Sequence, residues 1–198
     1  MKNWILMSVS IYGFAMMVYA IWSYLAFVNL DKMEWSGSLI YLPHGARVLG
    51  ICYFGYKSIP ALYAAEITGP VLVYPEYYFE VWPVAAIASI LAVVAACELV
   101  QWSGRNTKGT IFSPINYTNY RTLALIIVLS AAFNSIGANV ATSLFAGVVI
   151  DGVVISRFFI GDVLGSIVLV LFLSALFTAL RNNRLLAVSY THLTLPTN

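Results

Sequence analysis

Apolar residues in this chain gather into long, nearly unbroken runs separated by short polar clusters. Neither the three-to-four-residue stripe of an amphipathic surface helix nor the strict alternation of a half-buried strand recurs along it. Six segments stand out, at about residues 4–30, 40–56, 59–74, 83–102, 122–149 and 158–180. A bilayer core of about 30 Å needs about 20 apolar residues per helix, so the pattern predicts an all-α, polytopic transmembrane bundle with about six spans. The third segment is short and interrupted by Gly69-Pro70. The fifth, with Asn134, Ser135, Gly137 and Asn139, reads as a buried central helix.

Composition strengthens this reading: 61% of the 198 residues are hydrophobic and 9% are charged, against roughly 25% charged in a soluble domain. The first apolar run is too long for the 7–15-residue core of a signal peptide and is read as a retained helix. Under six spans, Lys2, Lys57, Arg105, Lys108, Arg121, Arg181 and Arg184 all fall on one side, which the positive-inside bias makes cytoplasmic, with both termini there. The other side carries Lys32 beside Asp31, Glu34, Glu76, Glu80 and Asp151. A net charge of +2 with scattered basic residues gives no nucleic-acid footprint, so the expected partner is the lipid bilayer.

Residues 187–198 differ from everything before them. The series from Val188 to Thr197 resembles a translated sequencing-library adapter, and it is set apart as a non-native tail on a single membrane domain over 1–186, the natural chain being expected to continue past Leu186. Without His192, His44 is the one remaining histidine, which argues against a bis-histidine haem or a His-rich zinc site. No metal or cofactor is expected. Cys52 and Cys97 lie inside apolar runs and read as packing residues.

Charged side chains at membrane depth cost at least about 2.5–3.5 kcal/mol, so the polar residues inside the spans carry the functional information. His44, Arg47, Glu66, Arg157 and Asp162 form the candidate cluster, toward the outer half of the bilayer. One reading pairs Arg47 with Asp162 or Glu66 to pin helices together. The other presents Arg47 and His44 to a small polar or anionic ligand, since a guanidinium pairs bidentately with carboxylates and phosphates. Glu98 reads as a carboxylate reaching water at the inner interface. Gly161 and Gly165 bracket Asp162 in a small-xxx-small pattern that admits a neighbouring helix, and Asn134 and Asn139 offer interhelical hydrogen bonds. The aromatic, acidic stretch 74–83 reads as an interfacial belt or a lid. No catalytic signature is present, and no enzyme activity is expected of this chain.

Leu42-Pro43-x-Gly45 at a helix start, Phe54-Gly55 and Pro60 across a tight turn, and Arg157 followed by Gly161-Asp162-x-Leu164-Gly165 together resemble the membrane-associated sensor domain of the first type (MASE), over residues 38–180. That resemblance implies an input module of the bacterial inner membrane, typically preceding a cytoplasmic signalling domain. The family usually has about eight spans, two more than are read here. A small transporter or substrate-capture subunit is the alternative, since six spans in about 190 residues also suit such proteins.

Overall fold

The structure, a computed structural model, describes residues 2–29, 38–73, 82–103, 120–147, 149 and 151–193. All regular structure among them is helical: α1 (Lys2–Asn29), α2 (Leu42–Phe54), a 3-10 turn (Gly55–Ser58), α3 (Ile59–Val73), α4 (Trp82–Trp102), α5 (Tyr120–Ala146) and α6 (Gly152–Leu193). Each predicted apolar run thus contains a helix. The stretch 74–83 and the connection 103–120 lie almost wholly outside the described residues, and for 182–193 only the backbone is described.

Four helices have the length and apolarity to cross a membrane unaided, over Trp4–Leu25, Trp82–Trp102, Tyr120–Phe145 and Gly152–Arg181. The chain is therefore built as a membrane protein. The other two are shorter: α2 has 13 residues and α3 has 15, giving about 20 and 22 Å of helix rise. Pro43 sits in the first turn of α2, where its missing N–H leaves no helical bond unmade. Gly55 ends α2 at φ 64°, ψ −157°, a backbone conformation in which a Cβ would be strained. Pro60 then opens α3 in its first turn. Helix α3 continues through Gly69 and Pro70 to Val73, so that pair does not break it as the sequence suggests; Gly69 instead lets the Tyr19 ring of α1 press against the backbone.

Arg47 meets Glu66 and Gly50 meets Leu62, so α2 and α3 form an antiparallel hairpin. Tyr41 meets Gly165, while Gly45 meets Ser166 and Leu169, so α2 and α6 run in the same sense. Helix α2, not α5, is the centre of the bundle. Its residues from Leu42 to Cys52 are all buried, and it touches α1, α3, α4, α5 and α6.

Two apolar clusters make up the core. The larger gathers Ile11, Val48, Ile51, Leu62, Val93, Val100 and Ile126 around the hairpin turn, and includes Cys52 and Cys97, both free and buried. The smaller gathers Val18, Tyr19, Trp22, Leu42, Leu49 and Leu169 between α1, α2 and α6.

Candidate functional site

Beside these apolar clusters lies a set of buried polar side chains. His44 and Arg47, one turn apart, come from α2, Glu66 from α3, Ser130 and Asn134 from α5, and Asp162 and Ser166 from α6, none more than 8% exposed. His44 stands about 16 Å of helix rise from Gly55, and Asp162 about 15 Å from the start of α6. Asp162 thus falls in the first half of the apolar stretch Gly152–Arg181.

Its geometry falls into two linked pairs. Arg47 Nε is 3.1 Å from Glu66 Oε1, which selects Glu66 over Asp162 as the partner of the guanidinium. The face of that guanidinium lies 5.4 Å from the centre of the Tyr41 ring, within cation–π range. His44 Nδ1 is 3.5 Å from Asp162 Oδ2, too long for a formed hydrogen bond. On its other side, His44 Nε2 is 2.9 Å from Ser130 Oγ. Ser130 Oγ is also 3.1 Å from the Ile127 carbonyl, so its one hydrogen has two acceptors to choose between. Asn134 Nδ2 donates to Asp162 Oδ2 at 2.6 Å.

Ser130, His44 and Asp162 follow one another in the order of a nucleophile, base and acid. Hydrolysis also needs an oxyanion site, and Ser130 lies inside α5, where backbone N–H groups are committed to the helix's own bonds. The line is better suited to holding and redistributing a proton.

Five buried atoms of the layer have no hydrogen-bond partner among the described residues: His44 Nδ1, Arg47 Nε and Nη1, Asn134 Oδ1 and Ser166 Oγ, of which His44 Nδ1 and Arg47 Nε face a carboxylate at ion-pair distance. The network is therefore only partly satisfied, a costly condition at low dielectric.

Of the residues singled out from sequence, His44, Arg47, Glu66 and Asp162 are brought together and Arg157 is not. Arg157 is exposed. It precedes Asp162 by five positions, which at about 100° per residue sets it roughly 140° around the helix from the buried face. The same spacing separates Asn139 from Asn134. Asn134 bonds across to α6, whereas Asn139, though buried, donates to the Ser135 carbonyl of its own helix at 2.7 Å and makes no interhelical bond through that amide. Glu98 is exposed near the end of α4.

Gly161 and Gly165 do serve a close approach, but of a different partner. Among the described residues it is the bend Ser38–Tyr41 leading into α2, not a helix, that lies in their groove. The Tyr41 N–H donates to the Gly161 carbonyl at 2.9 Å, and a Cβ at Gly161 would collide with the Ser38 carbonyl oxygen. From the other side Trp22 holds the segment, its Nε1 donating to the Ile40 carbonyl at 2.7 Å and its ring meeting Tyr41 edge-on at 4.9 Å. Sequence reasoning missed Ser130, Ser166 and Tyr41. Their only signal was position: Ser130 lies four residues before Asn134, and Ser166 four after Asp162, so each shares a helix face with a residue already singled out.

Of the motif pieces quoted from the sequence, the start of α2 and Gly161–Gly165 of α6 lie together, while the turn at Gly55 lies at the other end of α2. Comparison with protein families, curated proteins and solved structures gives no match for the chain.

Proposed function

We propose that this chain is an integral membrane sensory or ligand-binding module of a bacterial inner membrane, of the kind the MASE resemblance suggests. Its sensing element is the buried layer of His44, Arg47, Glu66 and Asp162. The observation that supports this most is the incomplete satisfaction of that layer. Ionisable groups at membrane depth are expensive, and a set kept only to glue helices together would be expected to satisfy its own donors and acceptors. Here His44 Nδ1, Arg47 Nε and Nη1, Asn134 Oδ1 and Ser166 Oγ make no hydrogen bond to the described residues, within a core drawn from α2, α3, α5 and α6. Binding at such a site shifts the protein between two arrangements only if the ligand favours one of them.

The same reading takes α2 and α3 as short spans that complete a six-pass topology with cytoplasmic termini. The antiparallel α2–α3 hairpin and the common sense of α2 and α6 fit an alternating path, and the basic Lys57 in the turn fits a cytoplasmic end. The output would pass along α6 to a cytoplasmic signalling domain or partner protein.

Trp22 gives the test, since it touches Tyr41, which in turn covers Arg47. Its emission is isolated as the difference between the wild type and Trp22→Phe, both in lipid nanodiscs, and followed while small polar solutes, salts and acid are added. A spectral shift in the wild type that disappears in Arg47→Gln supports the module. A wild type indifferent to every addition removes it, and solute uptake by cells expressing the chain alone would replace it with the substrate-capture reading.

A further inference from the structure

We infer that the ligand of this layer is a single proton, taken up by the His44–Asp162 pair. The inference rests on the sensory reading of the same site and goes beyond it by naming what binds.

Charge is the first ground. With His44 neutral, the layer holds one guanidinium and two carboxylates, Arg47 against Glu66 and Asp162, an excess of one negative charge buried within the bundle. An unpaired buried charge is among the costliest arrangements a protein interior can hold. One added positive charge cancels it, whereas an anionic ligand would double it. Arg47 is moreover already engaged by Glu66 and Tyr41. The anion that the sequence suggests for this arginine is therefore disfavoured.

Geometry is the second ground, and it selects a proton over a metal cation. Asp162 Oδ2 faces nitrogen on two sides, Asn134 Nδ2 at 2.6 Å and His44 Nδ1 at 3.5 Å, where a hard cation would need a shell of oxygens. Among the described residues no group of three His, Cys, Asp or Glu side chains is placed to hold a metal. The 3.5 Å gap is loose, and charging the imidazole would draw the pair to the 2.7–2.9 Å of a charge-assisted bond.

Ser130 completes the device. Before uptake, His44 carries its hydrogen on Nδ1, toward the Asp162 carboxylate, and Nε2 accepts from the Ser130 hydroxyl. After uptake, the pair holds one more proton, Nε2 becomes a donor to Ser130 Oγ, and the serine hydrogen turns to the Ile127 carbonyl, which already stands 3.1 Å away. One proton enters, no covalent bond other than N–H or O–H changes, and the layer goes from one net negative charge to neutral.

The other groups around the pair are Tyr41 and Arg47 from α2 and its lead-in, Glu66 from α3 and Tyr19 from α1. Helix α5 offers the uncharged Ser130 and Asn134, and Cys97 of α4 lies with Cys52 in the apolar layer. Arg157 of α6 is exposed. Of the charged residues among these, only Arg47 and Glu66 are buried beside the pair, and they offset each other.

The test is solid-state NMR of the full chain in nanodiscs of uncharged lipid, carrying His192→Gln so that His44 is the one histidine. Ring ¹⁵N signals of His44 and the side-chain ¹³C signal of Asp162 are followed from about pH 9 to about pH 5, the range across which histidine sites exchange protons. The expected result is one transition seen by both residues, with His44 moving from the Nδ1–H form to one protonated on Nε2. In Asp162→Asn, His44 should stay neutral across the range. Glu66→Gln, which leaves the pair intact but removes the excess charge, should weaken proton uptake by at least about tenfold. Signals of both residues unchanged by pH overturn the inference, as does a response to sodium at constant pH with none to pH at constant sodium. If the pair titrates but Trp22 emission does not follow, the proton site stands and the sensory reading falls. If Trp22 responds to a solute while the pair stays unchanged, the sensory reading stands and the proton falls.

Discussion

Tyr41 donates its backbone N–H to the carbonyl of Gly161, 2.9 Å away, and its own backbone lies against Gly165 one turn further along α6. This contact holds the entry to α2 against α6, so it fixes the register of His44 and Asp162. Alanine at Gly161 or Gly165 should push the Ser38–Tyr41 segment off the helix and lower stability by about 1–3 kcal/mol each, the usual cost of overpacking. Gly137, which has open space around its missing Cβ, is the control. Gly137→Ala should be neutral or stabilising by about 0.5–1 kcal/mol. Thermal unfolding in detergent measures all three, and equal stability of Gly165→Ala and Gly137→Ala would refute the role given to this groove.

The Arg47–Glu66 pair should show the asymmetry of buried ion pairs. Arg47→Ala alone leaves a buried carboxylate unanswered and is expected to cost about 3–5 kcal/mol, while Arg47→Met with Glu66→Leu should recover most of that loss. A double-mutant cycle on unfolding free energies reads this directly. Additive losses in the two single variants would mean that the pair is not coupled.

Arg157 should behave as an exposed residue, with Arg157→Ala changing stability by less than about 0.5 kcal/mol. Asp162→Ala, which orphans His44 and Asn134 together, should be far more damaging. Comparable effects in the same unfolding assay would place Arg157 in the core after all.

How much of this was legible beforehand depended on the scale of the signal. The six helices were legible because each apolar run is long and ends at polar or charged residues, and His44, Arg47, Glu66 and Asp162 stood out because such side chains are rare at that depth. Arg157 joins them in the sequence because it is charged and lies at a similar depth, but depth does not give the helix face, and five residues from Asp162 it points elsewhere. Ser130 was passed over for the opposite reason. Serine is unremarkable in a membrane helix, and the contact that gives it meaning joins positions 86 apart. Helix α2 was the hardest to place: a run with Pro43, Gly45, Arg47 and Gly50 looks like the edge of a bundle, yet those small residues are what let α3 and α6 close around it.

The orientation of the α2–α3 hairpin makes a separate prediction. Lys57→Cys, in the turn, should react with a membrane-impermeant maleimide from the cytoplasmic side, and Asp151→Cys from the opposite side. Cys52 and Cys97 are buried and should contribute little background. Comparing intact spheroplasts with inverted vesicles decides it, and labelling of both positions from the same side would rule out the six-pass path.

The shortness of α2 also bears on how the chain is made. A 13-residue helix carrying a histidine and an arginine is a poor substrate for insertion on its own, and the groups that answer His44 arrive much later, Ser130 after 86 more residues and Asp162 after a further turn of the path. At about 5–20 residues per second, the ribosome leaves that hairpin waiting for several seconds before its partners exist. The nascent segment must then rest at the translocon, in the headgroup region or under a chaperone, and settle to its final depth only when α6 emerges. A chain cut off before Asp162 would be expected to leave α2 unsettled and to be cleared by membrane quality-control proteases.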